Sequence, residues 1–179
     1  YNPDAPPLVN KHELGNVWFV QNVIKVENAD AELSAIGKFN PAQEALLDKR
    51  YQSYLEGFQF APDSAASIKL TDYKANELTY KSSSATEQLV VFSEVYYDKG
   101  WQAYVDDKPV PHFRVNYLLR AMRVPAGEHT IVFKFHPDSY FIGEKIALAS
   151  SLILILLVIG TVFLELKKFR SVSEASDKV

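Results

Sequence analysis

Hydrophobic and polar residues divide this chain into two regimes. Residues 146–164 read IALASSLILILLVIGTVFL and carry no charge. As an α-helix at 1.5 Å per residue, the run would reach roughly 28 Å, close to the ~30 Å hydrocarbon core of a bilayer. The core helix of a soluble protein rarely continues so far without a charged face. A cleaved leader would lie at the other end of the chain. The pattern predicts one membrane-spanning helix.

Before that run the period is that of strands. Residues 17–27 (VWFVQNVIKVE) are β-branched and aromatic and predict a strand. Asn28 can cap a short helix over 28–39, with Leu33 and Ile36 three apart on one face. Pro41 interrupts, and 45–48 suit a short strand. Residues 67–73 and 77–82 alternate, with Ile68 and Leu70, then Leu78 and Tyr80, on the apolar side. The short connection Lys74-Ala75-Asn76 makes them a hairpin. Residues 87–97 are apolar on both faces, as a central strand would be. The turn Asp98-Lys99-Gly100, with Gly supplying positive φ, leads to a returning strand over 101–106. Residues 118–124 and 128–136 form a further hairpin about Pro125-Ala126-Gly127, with Ile131, Phe133 and Phe135 on its inner side. The expected fold is mainly β: an antiparallel β-sandwich followed by one C-terminal transmembrane α-helix. Pro137 stops the last strand, and Asp138 or Ser139 can cap the helix, with Tyr140 and Phe141 at the interface. The chain then divides into a β-domain over 1–137, a helix over 138–168 with its core at 146–164, and a tail over 169–179.

Composition narrows the function. Of 179 residues, 47% are apolar and 23% charged, which excludes a disordered spacer. A net charge of −3 argues against a nucleic-acid binder. Cysteine is absent, so disulfides and thiolate metal sites are excluded. Basic Lys167, Lys168 and Arg170 follow the span closely, and basic flanks stay in the cytoplasm. The tail is therefore expected inside and the β-domain outside, with the three basic residues also contacting anionic lipid. The chain starts at Tyr1 with neither initiator Met nor leader. It is expected to be the C-terminal piece of a longer protein whose upstream helices deliver the β-domain across the membrane. A tail-anchored arrangement, with that domain inside, would contradict the flanking charges.

Candidate chemistry is sparse. Glu94, Asp98, Asp106 and Asp107 would need to face one another in pairs across a sugar to hydrolyse it, and turn chemistry accounts for three of them. His12, His112, His129 and His136 lack metal-ligand spacing, Ser82-Ser83-Ser84 is no nucleophile motif, and no Gly-rich phosphate loop is present. No catalytic residue, metal or cofactor is assigned. Trp101 and Tyr104 could stack on sugar rings or simply pack, as could Tyr117 and Tyr140. Arg114, Asn116 and Arg120 could hold a lipid phosphate or a pyrophosphate-linked donor, or the arginines could pair with Asp106, Asp107 or Glu94.

Residues 96–136 carry Gly100-Trp101, Ala103, Val105-Asp106, Arg114, Asn116, Arg120, Val124-Pro125, Gly127 and His129 in an order that resembles the C-terminal region of the YfhO family of bacterial multi-pass membrane proteins. Gly15-Asn16-Val17-Trp18-Phe19 and Ile68-Lys69-Leu70 look like Bacteroidetes members, and the likeness runs from about residue 14 to 168. One departure is Asp106-Asp107, where the family often has Asp-Gly in a turn. The resemblance implies the last span and extracytoplasmic tail domain of a polytopic protein in the bacterial inner membrane. It further implies a glycosyltransferase that takes sugar from a polyprenyl-phosphate donor to modify envelope polymers. The catalytic carboxylate of such an enzyme lies far upstream, so this chain would be non-catalytic. Its partners would be the bilayer, the upstream helices of the same chain, and an envelope glycan or polyprenyl-phosphate sugar. A membrane-anchored glycan-binding or structural module is the alternative.

Overall fold

A computed structural model describes residues 13–176, which fall into two compact units divided between His136 and Pro137. His12 lies outside the described residues. The first unit is mainly β, as its alternating pattern predicts. Its strands are β1 (Val17–Val20), β2 (Asn22–Val26), β3 (Glu44–Asp48), β4 (Ser67–Lys74), β5 (Glu77–Ser84), β6 (Gln88–Val95), β7 (Trp101–Val105), β8 (Lys108–Val110), β9 (Phe113–Val115), β10 (Leu119–Val124) and β11 (Gly127–Phe135). Helix α1 (Ala29–Ala35) follows β2, and a 3-10 helix (Lys49–Leu55) follows β3. One sheet has the order β1-β6-β10-β9, and the other β4-β5-β11-β7-β8. Both are antiparallel throughout.

The two sheets face each other across a core drawn from both. Phe92, Val90 and Met122 on one side meet Tyr80, Ile131 and Phe133 on the other. Three rings, Tyr80, Phe92 and Phe133, meet edge to face with centroids 4.9–6.2 Å apart. The back of the β1-β6-β10-β9 sheet is also covered. Ala45 and Leu47 of β3, with Tyr54 and Phe58, pack on Leu89, Val91, Phe113 and Ala121. That third layer explains why residues 88–92 of β6 are buried on both faces.

Several expected connections take a different course. The strand expected over 17–27 is broken at Gln21: β1 joins β6, whereas β2 runs parallel to β3. Asn28 does cap α1, accepting from the Ala31 N–H at 2.9 Å. Yet Leu33 and Ile36 are exposed, and the buried residue of the helix is Glu32. The chain after β6 does not fold back as a hairpin. It crosses to the other sheet, where β7 pairs with β11 and β8. Gly100 in that crossing lacks positive φ. Its role is close approach, since a Cβ there would come within 2.8 Å of the Tyr97 ring and closer still to Phe135. The expected hairpin between 118–124 and 128–136 is likewise a crossing, because β10 pairs with β6 and β9 while β11 pairs with β5 and β7. Gly127, at φ 123°, is the residue that makes that turn possible. β5 runs on through Ser84, so the serine run is strand.

The second unit is a single helix, α2 (Asp138–Ser176), of which Asp138–Lys167 is long and apolar enough to cross a membrane. Neither Asp138 nor Ser139 caps it. The Pro137 carbonyl accepts from the Tyr140 N–H at 3.0 Å, and Asp138 lies within the first turn.

The turn after β7 is a two-residue hairpin loop in which Asp106 and Asp107 have φ of 48° and 63°. Such a loop needs both residues left-handed, a conformation that glycine enters without a Cβ clash. Asp106 offsets its cost with its side chain, which accepts from the Thr130 N–H at 2.9 Å and contacts the His129 ring at 2.6 Å. Asp107→Gly is expected to stabilise the β-unit by about 0.5–1 kcal/mol, measured as a higher urea midpoint at unchanged slope; an unchanged midpoint would mean the turn carries no strain.

Candidate functional site

The residues singled out by sequence sit in three separate places. Arg114 lies on β9, with its side chain turned toward the covering layer. Its Nη2 donates to Glu32 Oε2 at 2.7 Å and lies 3.5 Å from Asp48 Oδ2. Both carboxylates are fully buried. Asp48 is further held by Arg50, whose Nε and Nη2 reach Oδ2 at 3.0 and 2.7 Å and whose backbone N–H reaches Oδ1 at 2.9 Å. The Arg114 guanidinium also lies 5.7 Å from the Tyr51 ring centroid and 5.3 Å from that of Tyr117. Burial pushes the Glu32 carboxyl upward, against the pull of the Tyr117 N–H and of Arg114. The Arg50 hydrogen bond dominates at Asp48 and holds it below the usual carboxylate range.

Asn116 completes this region. It follows β9 at φ 52°, which Asn tolerates better than most residues. Its backbone N–H donates to Leu46 O at 2.9 Å, and its Oδ1 accepts from the Leu46 N–H at 2.7 Å. Asn116 thereby pairs with β3 as one more strand residue would. Arg114 and Asn116 together fasten the covering layer to the sheet.

Arg120 and Trp101 form the second place, inside the sandwich. Arg120 is 2% exposed. Its Nε donates to Val95 O at 2.8 Å, and its guanidinium lies 4.2 Å from the Trp101 ring centroid and 5.1 Å from that of Phe133. The Trp101 face is thus occupied by a cation, and the ring also packs on Phe135. No carboxylate among the described residues is within ion-pair distance of Arg120. Beside it His112 packs edge-on against Phe133 and Tyr96. Burial first, and Arg120 second, push the His112 imidazole down to about 4.

Tyr104 marks the third place, on the outer face of the five-stranded sheet. Its hydroxyl donates to Gln102 Oε1 at 2.7 Å, and Lys134 Nζ sits 5.5 Å from its ring centroid. These residues border an open groove of about 710 Å³ with Asn76, Glu77 and His136 on its rim. An aromatic ring beside an amide, an ammonium and a carboxylate is the mixture that binds the apolar face and the hydroxyls of a sugar. Lys134 lies over the face of the ring that a stacking ligand would need. Tyr104 was singled out by sequence and Gln102 was missed, although their i, i+2 spacing on one strand puts them on the same face. Lys134 was not legible, because its place depends on the β7–β11 register.

The arginines therefore find partners other than those expected by sequence. Glu32 and Asp48 take Arg114, whereas Asp106 takes His129. The Asp106 contact lowers that carboxyl and raises the His129 imidazole. No cluster of three or more potential metal ligands occurs among the described residues.

A β-sandwich followed by a long helix whose residues 146–164 carry no charge defines a membrane-anchored β-domain protein. The family model for the bacterial membrane protein YfhO matches residues 51–147, more than half of the chain, and the protein belongs to that family. Comparison with curated proteins and with solved structures gave no match.

Two predictions follow from the buried charges. Arg114→Met leaves Glu32 and Asp48 without their shared cation, and a loss of about 3–5 kcal/mol in urea unfolding is expected. Adding Glu32→Gln to that variant should cost less than the sum of the single changes. An Arg114→Met protein of wild-type stability would show instead that the buried pair adds no net stability to the covering layer. His112 should make stability depend on pH. Its folded value lies below 6.5, so the unfolded chain binds the proton more readily. Stability is therefore lost as pH falls from 6.5 towards about 4, by at most about 3 kcal/mol. His129, whose imidazole is raised by Asp106, acts in the opposite sense: its stabilisation is complete well below 6.5 and is lost as pH rises from there, so its slope falls at the upper edge of the window and above. His112→Phe should flatten the stability profile between these limits, as read by urea titrations at successive pH values.

Proposed function

We propose that the chain is the C-terminal accessory segment of a polytopic membrane glycosyltransferase, one that takes sugar from a polyprenyl-phosphate donor and modifies envelope polymers. In this reading the β-domain lies outside the bacterial inner membrane and the tail inside. Membership of the YfhO family carries the proposal. The charged flank Lys167, Lys168 and Arg170 supports the sidedness. Chemistry is assigned to upstream parts of the protein, because the buried carboxylates here, Glu32 and Asp48, are committed to structural arginines. The contribution of this segment is to hold acceptor glycan, with Tyr104, Gln102 and Lys134 as its contact surface. Trp101, on the same strand, and Arg120 against its ring lie beneath that surface, whereas Arg114 and Asn116 hold the covering layer on the opposite side of the sandwich.

A second reading, a membrane-anchored glycan-binding module without a transferase, rests on the same groove. One experiment separates the two. Sugar transfer from a polyprenyl-phosphate donor is assayed with the full-length protein, with residues 13–136 deleted, with Tyr104→Ala, and with this chain alone. The proposal expects the deletion to abolish transfer, Tyr104→Ala to raise the acceptor KM several-fold with kcat little changed, and the chain alone to be inactive. Transfer by the chain alone overturns it. Absence of transfer by an intact, folded full-length protein, with glycan binding preserved, favours the module.

A further inference from the structure

The exposed apolar side chains of the β-unit are not scattered. Tyr73, Val95, Tyr97, Tyr117 and Leu118 are all more than a third exposed. They lie near one end of the sandwich, at the close of β4, on the β6–β7 crossing and in the β9–β10 turn. Backbone hydrogen bonds tie these segments together there. The Tyr96 N–H donates to Leu118 O at 2.8 Å, Trp101 N–H to Tyr97 O at 3.2 Å, and Phe135 N–H to Asn76 O at 2.9 Å. Among the described residues of this unit, the other exposed large apolar side chains are Leu33, Ile36 and Phe60.

The same end is where the chain leaves the sandwich. His136, the last residue of the unit, donates its N–H to Gly100 O at 2.7 Å. Pro137 follows directly, then the helix that is apolar enough to cross a membrane. Connectivity alone therefore keeps this end close to a bilayer that holds the helix. The patch has the chemistry of that boundary: tyrosines combine an apolar ring with a hydroxyl that stays hydrated, and they concentrate at membrane interfaces. Of the nearby cations, Lys74 is engaged by Asp72 and Glu77 at 2.7 and 3.4 Å, and Lys99 is next to Asp98 in the sequence. The patch thus has no excess positive charge with which to select anionic lipid.

We propose that this end of the sandwich rests on the bilayer, with Val95, Tyr97, Tyr117 and Leu118 inserted among the lipid headgroups, and that it binds zwitterionic lipid as well as anionic lipid. The contact fixes the height of the β-domain above the membrane.

The absence of cysteine makes the test direct. Single nitroxide labels are placed at Val95→Cys, at Leu118→Cys and, as a reference at the opposite end of the sheets, at Ala126→Cys. All three positions are exposed. The full chain is reconstituted in phosphatidylcholine vesicles, and collisions with apolar oxygen are compared with collisions with a water-soluble nickel chelate. The proposal expects a several-fold excess of oxygen over nickel collisions at 95 and 118 relative to 126, unchanged when phosphatidylglycerol is added. Equal ratios at all three positions would place the patch in water and overturn it. Shielding of 95 and 118 from both reagents would mean that protein covers the patch, which also overturns it. An excess that appears only with phosphatidylglycerol would overturn the claim of lipid indifference.

Discussion

Two carboxylates buried within reach of one another cannot both stay ionised unless a cation lies between them, and the architecture of the β-unit depends on how Arg114 meets that demand. Glu32 comes from the helix after β2, Asp48 from the end of β3, and Arg114 from an edge strand of the sheet. The ion pairs therefore bind the covering layer to the sandwich at a point where apolar contact alone would allow it to slide. Such a network contributes less net stability than its Coulomb energy suggests, because each charge gives up its hydration. What it supplies is geometry. With Arg114 fixed, Asn116 reaches the backbone of Leu46, β3 is held, and β6 acquires the second apolar face that its sequence demands.

Much of this was legible in the sequence, and the rest was illegible for identifiable reasons. Alternation located the strands with one wet face, as in 67–73, 77–82 and 128–136, and runs of β-branched and aromatic residues located others, whereas the three-residue strands β8 and β9 are too short to show a period and were not expected. The doubly apolar stretch in β6 correctly announced a central strand. Pairing was harder to read. The segments after β6 and after β10 carry turn residues, and a turn sequence is the same whether the next strand returns beside the last one or crosses to the opposite sheet. Gly100 shows the difficulty: glycine suggested positive φ, whereas the actual constraint is the nearness of Phe135 and Tyr97, which only the tertiary fold creates. Helix α1 misled for a similar reason. Its apolar pair Leu33 and Ile36 implied an inward face, but the charge on Arg114 drew Glu32 inward instead.

The residues expected to recognise ligand divide along the same line. Arg114, Asn116, Arg120 and Trp101 stand out in the sequence because they are costly to place in a β-domain. In the fold each is engaged by protein: a carboxylate, a backbone edge, a ring or a cation. Tyr104 is different, since it faces outward with Gln102 and Lys134 beside an open groove. Sequence can show which residues are unusual. Only the register shows which of them still have a side turned to solvent.

The order of strands in the five-stranded sheet carries a consequence for biosynthesis. β11, made last, lies between β5 and β7. Until it emerges from the ribosome, β4-β5 and β7-β8 are two separate hairpins with bare edges, and the inner rings of Tyr80 and Phe92 lack their partner Phe133. The β-domain therefore cannot close while it is being extended; it closes only when the segment directly ahead of the apolar helix has been delivered. Maturation of the domain and entry of that helix into the membrane are thus consecutive events on one short stretch of chain, and an arrest at this point would expose two unpaired strand edges to whatever lies nearby.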